Sequence, residues 1–174
     1  MQQCVKMNFS IKYIHLPVPF SLGLILGGIL LLSLQDPLTE FVLGLPGIIC
    51  HELAHFIVAF LLLADPRPID LMPKKNGDRW ILGSVKFEPH WWSAGPAALA
   101  PLYVLPCIIY VIGHFAFKFT PAWQLVAGYC CATIVWGAIP SREDWSIAVE
   151  QPIGSLILVF LLILTFMSVF GGKV

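Results

Sequence analysis

Between Phe41 and Ala64 the chain sets a single polar cluster, His51-Glu52-Leu53-Ala54-His55, in an otherwise apolar run with no lysine or arginine. A run of this length suits a membrane-crossing helix, which needs about 20 apolar residues. A charge at a helix centre in the bilayer costs on the order of 2.5–3.5 kcal/mol, so ionisable groups kept there mark a functional site. The backbone there must satisfy itself, and water can reach the polar groups only through a protein-lined cavity.

The spacing inside the cluster is chemically informative. On a helix, His51 and His55 lie one turn apart on the same face, where two imidazoles can share a zinc ion at about 2.0–2.1 Å each. Glu52 projects beside them, rotated by about 100° on the helical period. There it can take the proton of a metal-held water without ligating, which is what a metal hydrolase requires. The pentapeptide supplies two protein ligands, and a zinc site of this kind needs a third. The bland alternative is a buried polar network of two histidines and a glutamate.

Composition agrees with a membrane setting. Hydrophobic residues make up 58% and charged residues 11% of the chain, and mean hydropathy is +0.84, far from the soluble average. The formal net charge is zero, so there is no electrostatic case for nucleic acid. Cys4, Cys50, Cys107, Cys130 and Cys131 form no C-x-x-C spacing and read as reduced, small hydrophobes. Cys50 projects about 100° away from His51 and is poorly placed for the metal.

Taken in order, the chain reads as one all-α polytopic membrane domain, residues 1–174, with about five transmembrane helices near 16–34, 41–64, 97–117, 122–139 and 153–170. Lys6 and Lys12 precede the first run, but no small-x-small cleavage site follows it, so it is expected to remain as a helix. Pro46 lies inside the second run and invites a local bend. The polar stretch 65–92 contains two short β-rich runs around Asn76-Gly77, the signature of a β-hairpin. Such a hairpin is either a connector or an edge for an extended peptide. Pro140 to Glu150 is expected as a loop.

Lys6, Lys12, Arg67, Lys74, Lys75, Arg79, Lys86 and Arg142 fall on one side of this topology, against Lys118 and Lys173 on the other. The positive-inside rule then puts the N-terminus, the hairpin and the Pro140–Glu150 loop in the cytoplasm. Candidates for the third ligand are Asp144, Glu143, Glu150, His90, His114 and Asp65. His114 falls near the far end of its helix, and Asp65 lies nearly three turns beyond His55. Asp144 follows a proline break on the side nearer the histidines, although Ser141 and Asp144 also have the spacing of a helix cap. His90, beside Trp91 and Trp92, reads as part of an interfacial aromatic belt.

With His51-Glu52-Leu53-Ala54-His55, a polar hairpin, and Pro140-Ser141-x-x-Asp144 before another apolar run, the chain resembles the site-2 protease family of intramembrane zinc metalloproteases. It is similar in particular to small bacterial members with a Pro-Ser-x-x-Asp segment. The resemblance covers roughly Phe41 to Val149. It implies that His51, His55 and Asp144 bind Zn2+ and that Glu52 is the catalytic base of a hydrolase acting by intramembrane proteolysis on membrane-protein or peptide substrates. Two departures stand out: Asp144 is followed by Trp145 rather than sitting in a Leu-Asp-Gly context, and Leu99 replaces the asparagine of a Gly-Pro-x-x-Asn pattern at Gly95-Pro96. The competing expectation is a non-catalytic metal- or partner-binding membrane protein, for which Glu52 is dispensable.

Overall fold

The computed structural model describes residues 16–33, 36–76, 79–88 and 90–170. Lys6, Lys12 and Lys173, which contribute to the expected orientation, lie outside the described residues.

The architecture is mostly helical with one small sheet. Helix α1 spans Val18–Ser33 and α2 spans Pro37–Leu61. Two strands follow, β1 (Lys74–Asn76) and β2 (Arg79–Ile81). Then come α3 (Ala94–Ala98), α4 (Ala100–Phe115), a 3-10 turn (Ala116–Lys118), α5 (Pro121–Gly137), α6 (Arg142–Glu150) and α7 (Pro152–Phe170).

The second helix starts earlier than its apolar run. Asp36 caps it by accepting the Thr39 amide at 2.8 Å, and Pro37 opens the first turn, a start signal stronger than hydropathy alone. The helix continues through Pro46 and stops at Leu61 rather than Ala64. Ala64 N–H closes on Ala59 O and Leu63 N–H on Phe60 O, a Schellman ending that turns the chain at Leu63, φ +55°. The third expected helix is instead broken at Leu99, and the expected loop 140–150 contains α6. There Ser141 and Asp144 cap each other reciprocally, so the cap spacing in the sequence has its ordinary structural meaning as well.

Small residues bring the helices together, as is common between apolar helices. A Cβ placed on Gly47 of α2 would lie 2.0 Å from Thr133 O of α5, and one on Gly137 would lie 2.7 Å from Gly47 O. This crossing fixes α2 against α5 one turn before His51. Ala54, Val58, Ala59, Ala97, Ala100, Leu105 and Ile134 form the adjoining apolar core between α2, α3, α4 and α5.

β1 and β2 pair antiparallel, Lys74 with Ile81 and Asn76 with Arg79. The ribbon extends beyond them through the Asp70–Ser84 bridge, Arg67 N–H to Lys86 O and Glu88 N–H to Ala64 O. The expected hairpin is therefore present as a longer, irregular arm. Asp70 pairs with Lys74, whose ammonium holds the Asp70 carboxyl below its usual range.

Among the described residues, two helical segments, Pro37–Leu61 and Ala100–Lys118, are long and apolar enough to cross a membrane. A third is added if α5 and α6, bent by 47°, act as one span. The molecule's outside is apolar along α1 and much of α7, with Ile25, Ile29, Leu156 and Phe160 exposed, whereas Glu52, His55, Thr133 and Asp144 are buried.

Candidate metal centre

His51, His55 and Asp144 converge at the joint between α2 and the α5–α6 bend, and this group could hold a metal ion. The two histidines come from one face of α2, as their four-residue spacing dictates. Asp144 arrives from the first turn of α6, whose 47° bend from α5 carries it toward the histidines. His55 and Asp144 are 5% and 9% exposed.

The orientation of both rings is fixed from behind. His55 Nδ1 lies 2.8 Å from Ala97 O, and His51 Nδ1 lies 2.5 Å from Gly137 O. A carbonyl only accepts, so each Nδ1 carries the proton and each Nε2 presents a lone pair. This is the outer-shell arrangement that orients metal-ligating imidazoles.

Neither carbonyl has its helical donor four residues on, in one case because that residue is a proline and in the other because its amide turns elsewhere. The amide that would close on Ala97 O four residues later belongs to Pro101, which has no N–H. Gly137 ends α5. Three residues on stands Pro140, and the next amide, Ser141 N–H, turns instead to Asp144 Oδ2 at 2.6 Å. Gly137 O is thus a helix-terminal orphan, and His51 takes it.

The three ligand groups match the size of a tetrahedral ion. His51 Nε2 and His55 Nε2 are 3.0 Å apart, His55 Nε2 is 3.4 Å from Asp144 Oδ1, and His51 Nε2 is 3.6 Å from Asp144 Oδ2. Ligands held at about 2.0–2.1 Å in tetrahedral array lie about 3.3–3.4 Å from one another. Two imidazole lone pairs and a carboxylate facing each other form a donor set that could hold a metal ion. Imidazole nitrogens with a carboxylate suit several first-row divalent ions, zinc, copper, iron and nickel among them.

Glu52 stands outside this group of three. It is 7% exposed, and the arm folds over it. A Cβ on Gly83 would meet Glu52 Oε1 at 2.8 Å and Cγ at 2.9 Å. Only a glycine lets the arm's backbone approach this side chain without displacing it.

The other candidate ligands lie elsewhere. His90 is exposed and packs toward Trp92, with ring centroids 6.1 Å apart. His114 is exposed beside Phe115, and Glu150 accepts from Ser146 Oγ at 2.9 Å. Asp65 turns away after α2 at φ +46°, and Glu143 is exposed on α6. Cys50 is half-buried against the apolar core.

Ala97, Gly137 and Gly83 were not among the residues singled out by the sequence, and Ser141 was singled out for its cap spacing and its place in the Pro-Ser-x-x-Asp segment rather than as a support of the site. Pro101 signals Ala97, by its spacing from the carbonyl it leaves free, and Pro140 marks the end of α5 near Gly137. Gly83 carries no comparable local signal.

No protein-family model, curated protein or solved structure matches this chain. The class of protein therefore rests on the site itself.

Proposed function

We propose that this chain is a multi-pass membrane zinc peptidase of the site-2 protease type, cleaving membrane-protein or peptide substrates within or next to the bilayer. The observation that carries this reading is the convergence of two Nε2 lone pairs and the Asp144 carboxylate at 3.0–3.6 Å beside a buried glutamate that is not one of them. His51, His55 and Asp144 hold the ion. Zinc, when bound, supplies Lewis acidity to a carbonyl and lowers the pKa of a coordinated water.

Glu52 takes a proton from the water that attacks the scissile carbonyl carbon and returns it to the amine nitrogen as the C–N bond breaks. Its burial keeps that proton transfer out of bulk water. The Gly137 and Ala97 carbonyls hold the imidazoles in place throughout. The remaining apolar runs complete the span set. The excess of lysine and arginine on the hairpin side supports a cytoplasmic N-terminus and arm.

The decisive experiment uses detergent-purified protein with zinc, incubated with single-span membrane polypeptides and read by gel and mass spectrometry. Glu52→Gln is expected to keep stoichiometric zinc and to lose cleavage by at least about 100-fold, the usual worth of a general base. Cleavage retained in Glu52→Gln overturns the assignment. Cleavage absent from the wild type, with zinc present, favours the non-catalytic metal-binding alternative.

A further inference from the structure

The two oxygens of Asp144 are not equivalent. Oδ2 accepts the Ser141 backbone N–H at 2.6 Å, while the Ser141 hydroxyl accepts the Asp144 N–H at 3.1 Å. Oδ1 has no hydrogen-bond donor among the described residues and faces His55 Nε2 at 3.4 Å, while Oδ2 also faces His51 Nε2 at 3.6 Å. A carboxylate on a short side chain at the third position of a helix is thereby anchored through one oxygen while both oxygens face the histidine pair.

We propose that Ser141 is a positioning residue whose backbone amide, bonded to Oδ2, holds the Asp144 carboxylate against the two imidazoles. This rests on the metal-centre reading above and assigns the orientation of its third ligand to a residue that touches no metal. The same amide is the one that Gly137 O lacks, so a single N–H decides two things. By turning to Asp144 it orients the carboxylate, and by leaving α5 it frees the carbonyl that holds His51. Outer-shell partners of this kind are worth roughly ten- to a hundredfold in metal affinity.

The backbone donor can be removed without forcing the chain. Ser141 sits at φ −67°, the value a proline ring imposes, so Ser141→Pro deletes the N–H and the hydroxyl together. Ser141→Ala deletes the hydroxyl alone, and Ser141→Thr keeps both. The difference between the first two isolates the amide from ordinary loss of a helix cap. Asp36→Ala, which removes the cap of α2 far from the site, controls for cap loss in general.

The experiment measures Co2+ affinity by chelator competition, with the visible spectrum of the bound ion, in full-length wild type and these variants. Ser141→Thr and Asp36→Ala are expected to match wild type. Ser141→Ala is expected to weaken binding a few-fold, and Ser141→Pro roughly ten- to a hundredfold. Ser141→Pro should also change the visible spectrum, because the amide no longer holds the carboxylate. Affinity and spectrum equal in Ser141→Pro and Ser141→Ala overturn the proposal.

Asp144→Asn tests it independently should the proline variant fail to fold. Its one carbonyl oxygen is claimed by Ser141 N–H, turning the NH2 toward the imidazoles, so cobalt content should be as low as in Asp144→Ala. Cobalt retained above that level overturns the lock. A wild-type chain that takes up no cobalt overturns the metal reading itself, an outcome distinct from wild-type uptake with indifferent Ser141 variants.

Discussion

At the scale of single residues, the candidate centre depends on groups that make no chemistry of their own. Pro101 is buried and contributes to packing, but its larger effect is the amide it lacks. Pro101→Ala supplies an N–H that competes with His55 for Ala97 O. Metal affinity, measured by chelator competition, is expected to fall about tenfold, the scale of a lost outer-shell partner. An unchanged affinity in that variant separates the free carbonyl from ring orientation. The grouping of these three side chains was partly legible in the sequence: His51 and His55 from helical spacing, and Asp144 as one of several candidates, placed after a proline break. Their supports were less so, because main-chain carbonyls carry no residue-specific signature and are exposed only by the absence of a donor several residues away.

At the scale of elements, caps decide where helices begin and end. The apolar run starting at Phe41 concealed a helix that begins at Pro37, because hydropathy reports burial whereas Asp36-Pro37 reports the first turn. The same competition produced α6. Its sequence is too polar to read as a span, yet the Ser141–Asp144 box is enough to start a helix. The hairpin was legible from Asn76-Gly77 and its flanking strands, but its contact with Glu52 was not, since that is a tertiary approach. The end of α2 is a strained cap. Leu63 adopts φ +55° while 80% exposed, a conformation that costs an L residue about 1–2 kcal/mol and that glycine adopts freely. Leu63→Gly is expected to raise unfolding stability by about 1 kcal/mol after the added freedom of the unfolded glycine is subtracted. A denaturation curve in mixed detergent micelles reads this directly.

At the scale of the whole molecule, the α2–α5 crossing sets both packing and site. Gly47→Ala puts a methyl carbon 2.0 Å from Thr133 O, so the helices must move apart and carry His51 from Gly137 O. Lowered melting temperature and lost metal are expected together. Gly44→Ala, whose Cβ meets only Ile48 Cδ1 at 3.8 Å, is the matched control, expected to keep metal and melt no lower than wild type. The helix count is where sequence reading was least decisive. Apolar runs announce themselves by composition, but whether α5 and α6 make one bent span depends on a 47° angle that no local pattern encodes.

His51 meets Gly137 O across 86 residues of chain, and Asp144 lies further still. A ribosome making this protein has the histidine pair finished long before the carbonyl that steadies it or the carboxylate that completes it. Until the α5–α6 bend has emerged and folded back, the nascent polypeptide offers a metal only two nitrogens. Assembly of the centre is therefore a late event in biosynthesis, and a chain truncated before Asp144 carries the pentapeptide motif without the site.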